Sequence, residues 1–128
     1  MNVNYLFTDK APKPIGPYSQ AVEVGSFVYI SGQIPLHHES GDVVGDDVTT
    51  QSKVALANLR AILENAGLDF HSLVKTTVFL TDMNNFSKFN EVYQQELSGA
   101  APARSVVEVS ALPKSVLVEI EAIAYKCK

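Results

Sequence analysis

Six short stretches of the chain carry the residue pattern of β-strands. Each is rich in β-branched or aromatic residues, and several alternate apolar with polar positions. The stretches are Val3–Thr8, Ala21–Val24, Phe27–Ser31, Leu73–Asp82, Ala101–Val109 and Ser115–Lys126. Only Gly25 and Ser26 separate the second stretch from the third. Glycine in the first position of a two-residue turn is typical of a type II′ hairpin, so we predict a hairpin here.

Two longer segments place apolar residues on one helical face. In the first, this face consists of Val48, Ala55, Leu59, Ile62 and Ala66; in the second, Asn84–Leu97, it consists of Phe86, Phe89, Val92 or Tyr93, and Leu97. Asp46 or Asp47 can cap the start of the first helix, and Gly67 lies where a C-terminal cap glycine belongs. We therefore predict one helix of about five turns and a second, shorter one.

The predicted order of the elements is β-β-β-α-β-α-β-β. Strands and helices that alternate in the middle of a chain favour helices packed on one face of a mixed sheet. We therefore expect an α+β fold, a mixed six-stranded sheet with two helices on one face, in a single domain over residues 1–128. The opposite face of such a sheet needs a partner, which is a first indication of an oligomer.

The composition indicates an ordinary globular protein. The formal net charge is −4 and the 10 lysines and arginines are scattered singly, which disfavours the clustered basic surface that binds nucleic acid. Cys127 is the one cysteine, which excludes an internal disulfide and fits a reducing compartment. No apolar stretch has the length of a signal peptide or a membrane span. We expect a cytoplasmic protein without nucleic-acid or membrane partners.

Charged side chains interrupt the last two predicted strands. In the final strand, Glu119 and Glu121 share the face opposite a wholly apolar one, and in the preceding strand Arg104 shares a face with Val106. Successive strands are commonly neighbours in a sheet, so we expect Arg104 to approach one of the two glutamates. Solvated glutamates, or a structural ion pair between the arginine and a glutamate, are the alternatives that spacing alone leaves open.

These residue types together suggest hydrolysis of a small carboxylic acid. An arginine presents a planar fork that grips a carboxylate at two points. A partly desolvated glutamate nearby can hold and deprotonate a water molecule. Tyr18 follows the proline-rich segment 12–17, whose stiff backbone would present its hydroxyl as a hydrogen-bond donor. Neither a metal nor an organic cofactor is needed for such a reaction.

Other catalytic patterns are incomplete in the sequence. His37 and His38 lie in a polar loop and His71 stands alone, with no third ligand at zinc spacing, so we expect no metal site. Ser31 lacks the flanking glycines of a hydrolase nucleophile elbow. The glycines are dispersed and form no nucleotide-binding fingerprint.

Six segments, in order over essentially the whole chain, resemble the Rid/YjgF family of reactive-intermediate deaminases, and its RidA-like branch in particular. The segments are IGPYSQA (15–21), SGQIP (31–35), VKTTVFLTDM (74–83), FNEVY (89–93), PARSVVEV (102–109) with LP at 112–113, and VEIEAIA (118–124). The resemblance implies a chorismate-mutase-like subunit in a homotrimer with a central β-barrel and clefts between subunits. It also implies cofactor-independent hydrolysis of 2-iminopropanoate and 2-iminobutanoate to 2-keto acids and ammonia.

The resemblance further assigns roles to individual residues. Arg104 would bind the substrate carboxylate and Glu119 would orient the attacking water, a choice over Glu121 that the residues alone do not make. The positions that match the family's cleft are Tyr18, with a catalytic role, and Ser31, Gly32, Asn90 and Phe86, which would contact substrate. Val106 stands where many relatives carry a cysteine, so thiol chemistry is not expected there.

Two other functions stay open beside imine hydrolysis. Relatives have been described as endoribonucleases or translation inhibitors, although the negative net charge of this chain speaks against RNA binding. A non-catalytic regulatory trimer that binds small carboxylates would keep the arginine and leave the glutamate idle. An Arg104→Ala or Glu119→Gln variant would separate these possibilities.

Overall fold

The computed structural model describes residues 2–127 and contains eight principal elements. The strands are β1 (Val3–Leu6), β2 (Ala21–Val24), β3 (Phe27–Gln33), β4 (Leu73–Leu80), β5 (Ala103–Glu108) and β6 (Val118–Tyr125), and the helices are α1 (Val48–Asn65) and α2 (Phe86–Leu97). Single 3₁₀ turns precede β4, α2 and β6. The order along the chain is the predicted one.

The strands form one mixed sheet in the order β1-β2-β3-β6-β4-β5. All neighbouring pairs are antiparallel except β4 and β5, which are parallel and connected through α2. The predicted hairpin is confirmed, since Val24 pairs with Phe27 and Gly25 has a φ of 59°. Over the described residues the sheet is open, so a barrel is not formed within one chain.

The ends of α1 follow from local side-chain chemistry. Of the two predicted caps, Asp47 is the one used, and its carboxylate accepts a hydrogen bond from the Thr50 amide. Gly67 has a φ of 78° just beyond the last turn, a conformation that favours glycine. The whole predicted apolar stripe of this helix is buried, from Val48 to Ala66.

The expected pairing of the last two strands is wrong. β4 lies between β5 and β6, because a helical crossover places β5 parallel to β4 while β6 pairs antiparallel with both β3 and β4. Thr76 of β4 is paired with Arg104, whereas Phe79 is paired with Glu119. Residues 76 and 79 of a strand project from opposite faces, so Arg104 and Glu119 do too.

The two faces of the sheet differ in what covers them. The face that includes Val28, Val78 and Ile120 is buried against the helices as part of the main hydrophobic core. The other face leaves Phe27, Tyr29, Tyr125 and Val107 between 39% and 46% exposed. Neither helix in the described part of the chain has the length and apolar character needed to cross a membrane.

Candidate functional site

A cleft of about 330 Å³ opens on the chain where Glu119 meets the bulged part of β3. Its lining combines four of the predicted site residues with three apolar ones; the lining residues are Ile15, Tyr18, Ser31, Gly32, Ile34, Pro113 and Glu119. The volume suits a small ligand. The structure therefore brings together Tyr18, Ser31, Gly32 and Glu119, as the resemblance implied, and we name these four residues the glutamate half-site.

Tyr18 is held by a loop without regular secondary structure. The buried Gln20 side chain fastens this loop, because its amide accepts a hydrogen bond from the Thr8 amide and donates to the carbonyls of Thr8 and Pro12. The Tyr18 hydroxyl accepts a hydrogen bond of 3.2 Å from the Ile15 amide. The hydroxyl proton is left over for donation to a ligand.

Ser31 and Gly32 occupy a β-bulge between β3 and β6. The Ser31 hydroxyl donates to the Ser19 carbonyl at 2.6 Å, so it faces a ligand only as an acceptor. At Gly32 a Cβ atom would lie 2.7 Å from the Glu119 carboxyl carbon, which is closer than side chains tolerate. Glycine is thus required at position 32 for the carboxyl group of Glu119 to lie against the bulge.

The carboxyl group of Glu119 lies in an environment that disfavours its ionised form. Burial, and to a lesser extent the negative Glu121, raise its pKa above the ordinary value for glutamate. Among residues 2–127 no basic side chain forms a salt bridge with it. Glu121 is exposed and does not line the cleft. Of the two glutamates, Glu119 is therefore the one placed to contact a small molecule in the cleft.

Arg104 lies on the opposite face, in a cradle built by one stripe of α2. Its Nη1 donates to Asn90 Oδ1 at 2.8 Å. Its guanidinium carbon lies 4.8 Å from the ring centre of Tyr93 and 5.7 Å from that of Phe86. Residues 86, 90 and 93 follow one another at helical spacing, so they share a face of α2. We name Arg104, Phe86, Asn90 and Tyr93 the arginine half-site.

The charge of Arg104 is not neutralised by a carboxylate in the part of the chain that the structure describes. Glu108, which shares its face of β5, instead accepts a hydrogen bond from the Met83 amide at 2.7 Å. Asn90 accepts from one of the five guanidinium N–H donors, and within the described residues the others form no hydrogen bond. A half-buried arginine in this state is suited to an incoming carboxylate.

The structure thus divides the predicted site residues into two sets that one chain does not bring together. Tyr93 and the apolar cleft residues Ile15, Ile34 and Pro113 were not predicted as site residues. For Tyr93 a signal existed, because it follows Phe86 and Asn90 at helical spacing. For the three cleft residues no local signal exists, since loops far apart in sequence bring them together.

One cluster outside the two half-sites offers three metal-ligand atoms. His37, His38 and Glu39 lie on the exposed surface, with these atoms within 4.8 Å of one another. The two imidazole rings are stacked nearly parallel, and His37 Nδ1 already accepts a hydrogen bond from the Glu39 amide. Glu39 is thus a third potential ligand that the sequence spacing did not indicate.

Comparison with known proteins places the chain among its relatives. Residues 8–126 match the protein-family model described as Endoribonuclease L-PSP. The chain belongs to this family, the Rid/YjgF family that its motifs indicated. The match spans nearly the whole chain, and the mixed six-stranded sheet with two helices agrees with the fold of solved Rid proteins.

Similar Rid/YjgF proteins come from distant organisms. A RutC family protein of Pyrococcus abyssi is 54% identical, over 94% of this chain and 95% of its own length. The 2-iminobutanoate/2-iminopropanoate deaminase of Mus musculus is 53% identical, over 93% of this chain and 88% of its own length. The structure of Escherichia coli TdcF with bound serine superimposes with a TM-score of 0.92 at 44% identity, covering 97% of this chain and 99% of that one.

Proposed function

We propose that this Rid/YjgF protein hydrolyses reactive 2-imino acids, such as 2-iminopropanoate and 2-iminobutanoate, to 2-keto acids and ammonia. Its similarity to a mammalian protein named for that reaction supports the proposal. The bound serine of TdcF is consistent with a site for small carboxylates in this family. We propose the cytoplasm as its compartment, where removal of such intermediates would prevent damage by them.

The single observation that carries the proposal is the half-buried guanidinium of Arg104, which lacks a carboxylate partner among the described residues. Holding an unpaired charge partly out of water costs free energy, which a substrate carboxylate recovers on binding. The planar fork of the guanidinium also fixes the direction in which the rest of the substrate points. Asn90 and Phe86 flank the position of that carboxylate.

The site is proposed to form between two copies of the chain, in a homotrimer with a central barrel. The imine carbon of a 2-imino acid is bonded directly to its carboxylate carbon. Such a substrate is too short to reach Arg104 on one face of a sheet and a water held by Glu119 on the other. A second copy that places its glutamate half-site beside the arginine half-site resolves this mismatch, and the exposed aromatic face of the sheet supports such contact.

Hydrolysis then proceeds without a metal or cofactor. Glu119 accepts a proton from water as the water oxygen bonds to the imine carbon and the C=N electron pair moves to nitrogen, and the protonated Glu119 then returns that proton to the nitrogen. Tyr18 donates a hydrogen bond in the cleft, and Ser31 and the Gly32 backbone position the reacting group. Transfer of the proton of the new hydroxyl to the amino nitrogen then lets the C=O bond form as the C–N bond breaks, and ammonia and the 2-keto acid leave. Positioning supplies much of the rate enhancement, because imines already react with water.

The test is an assay in which a serine or threonine dehydratase generates the imine and release of the 2-keto acid is followed. We expect Arg104→Ala to lower kcat/KM by about 100-fold, because a charge-assisted carboxylate contact is lost. Arg60→Ala, which removes an arginine that lies over Phe70 and pairs with Glu96 outside both half-sites, is the matched control for folding. Parent-level turnover by Arg104→Ala, in an intact assembly, would refute the proposal.

An endoribonuclease is the second candidate, because the family description carries that name. The net charge of −4 opposes it. Cleavage of RNA by a nuclease-free preparation, with a rate that falls as salt rises and is lost in Arg104→Ala, would favour it over imine hydrolysis. A purely regulatory trimer would instead bind 2-keto acids normally and show the same imine turnover in Glu119→Gln as in the parent.

A further inference from the structure

Tyr93 lies on the buried face of α2 like a core residue, but its side chain also makes two polar contacts. Its hydroxyl contacts Thr76 and its ring contacts the guanidinium of Arg104. Its hydroxyl lies 2.8 Å from the Thr76 hydroxyl, and both residues are buried, Thr76 completely. Thr76 is the residue of β4 that pairs with Arg104 on β5. The hydrogen bond therefore fixes the phenol ring beside the strand position from which the arginine side chain emerges.

The ring of Tyr93 lies closer to the guanidinium than that of Phe86, with distances of 4.8 Å and 5.7 Å from the guanidinium carbon to the ring centres. Asn90 holds the guanidinium by a hydrogen bond to one nitrogen. A single hydrogen bond leaves a planar group free to rotate about that contact, whereas an aromatic ring beneath it also restricts its tilt. Burial raises the pKa of Tyr93, which keeps the phenol neutral at physiological pH.

We propose that Tyr93 is a positioning residue that sets the orientation of the Arg104 guanidinium for the substrate carboxylate, with Thr76 holding the ring in place. The inference rests on the proposed function, because it assigns Arg104 the carboxylate. Tyr93 itself does not touch the reacting atoms. A ring that orients the guanidinium strengthens binding of the substrate and of the transition state alike, so its loss raises KM and leaves kcat nearly unchanged.

The experiment compares three substitutions on α2. Tyr93→Leu removes the ring, and we expect KM for the imino acid and Kd for 2-oxobutanoate to rise by about tenfold. Tyr93→Phe keeps the ring but removes the hydroxyl that Thr76 holds, so both constants should rise by less than in Tyr93→Leu, about threefold. Leu97→Val perturbs the same buried face of the helix away from Arg104, and both constants should equal those of the parent.

The second arm tests whether Tyr93 acts through the arginine. In an Arg104→Lys background, Tyr93→Leu should have little further effect on Kd, because a compact ammonium does not need the ring to set its orientation. An equal loss in both backgrounds would overturn the inference, and so would parent-like binding by Tyr93→Leu while Arg104→Ala binds poorly. Parent-like binding and turnover by Arg104→Ala would instead refute the proposed function. If the leucine variant fails to fold, Tyr93→Met, which fills more of the space, replaces it.

Discussion

Glu119 and Glu121 are two residues apart on β6 and share a face of the sheet, but their environments differ. We therefore expect different roles for them. Glu119 is half-buried in the cleft, whereas Glu121 is exposed and adds a negative charge nearby. Under the proposed function Glu119 is the general base, which works only when it is ionised, so its raised pKa would set the lower pH limit of activity. Glu121 contributes to that limit without lining the cleft.

We expect Glu121→Gln to move the acid limb of the pH profile of kcat/KM to lower pH. Removing the neighbouring negative charge favours the ionised form of Glu119, so its pKa falls toward the ordinary value. Burial is the larger cause of the shift and persists, so the limb should move only part of the way. An excess of dehydratase generates the imine at each pH, uncatalysed hydrolysis is subtracted, and the profile is compared with that of Glu23→Gln, which alters an acidic residue on another strand. A limb that stays in place or moves upward contradicts the assignment.

At the scale of elements, the bulge in β3 positions the glutamate half-site. The pairing of β3 with β6 shifts between Ile30 and Gln33, and the extra backbone presents Ser31 and Gly32 to the cleft. The missing side chain at Gly32 leaves the space that the Glu119 carboxyl group occupies. A strand without the bulge or without the glycine would push that carboxyl group away.

We expect Gly32→Ala to lower kcat at least about tenfold, because the added Cβ displaces the general base. The clash involves a movable side chain, so the fold should persist, with a circular dichroism spectrum like that of the parent. Ser26→Ala, a change of similar size in the turn at the other end of β3, is the control. Full activity in Gly32→Ala would show that the position of Glu119 against the bulge is unimportant.

Local elements were predictable because their signals are local. The Asp47 cap, Gly67 and the Gly25–Ser26 turn each act within a few residues, and the structure has each as predicted. The predicted adjacency of β5 and β6 failed because strand order depends on crossovers, which residue patterns along one strand do not reveal. The spacing offers either Val92 or Tyr93 for the apolar stripe of α2, and it does not reveal that Tyr93 also contacts Arg104, because a buried residue and one that supports a charge occupy the same helical spacing.

At the scale of the whole molecule, the sheet separates the two half-sites. The arginine half-site lies on the helix-covered face at an edge strand, and the glutamate half-site lies on the other face. Under the proposed function, one chain therefore holds two incomplete sites. Each site would be completed by the complementary half-site of a second copy, which makes assembly a condition of activity.

We expect two variants that are each inactive to regain activity when both are present in the same oligomer. Arg104→Ala and Glu119→Gln, co-expressed in equal amounts, should give about a quarter of the parent activity, because a random closed oligomer joins two intact half-sites at that frequency. Light scattering should give the mass of three chains. The same variants mixed after separate assembly, without exchange of subunits, are the control and should stay inactive. No recovery in co-expressed oligomers would contradict a shared site.

The sequence by itself determined the elements, their caps and turns, the family and the residue types of the site. These depend on local periodicity and on motifs that keep their order along the chain. Only the tertiary structure decided that Arg104 and Glu119 project from opposite faces, that Gly32 makes room for the glutamate, and that Tyr93 and Thr76 lie beside the guanidinium. The physical reason is that strand order and bulges bring together residues far apart in sequence. Alternation along one strand shows which of its side chains share a face, but only the pairing with neighbouring strands shows which side of the sheet that face is on.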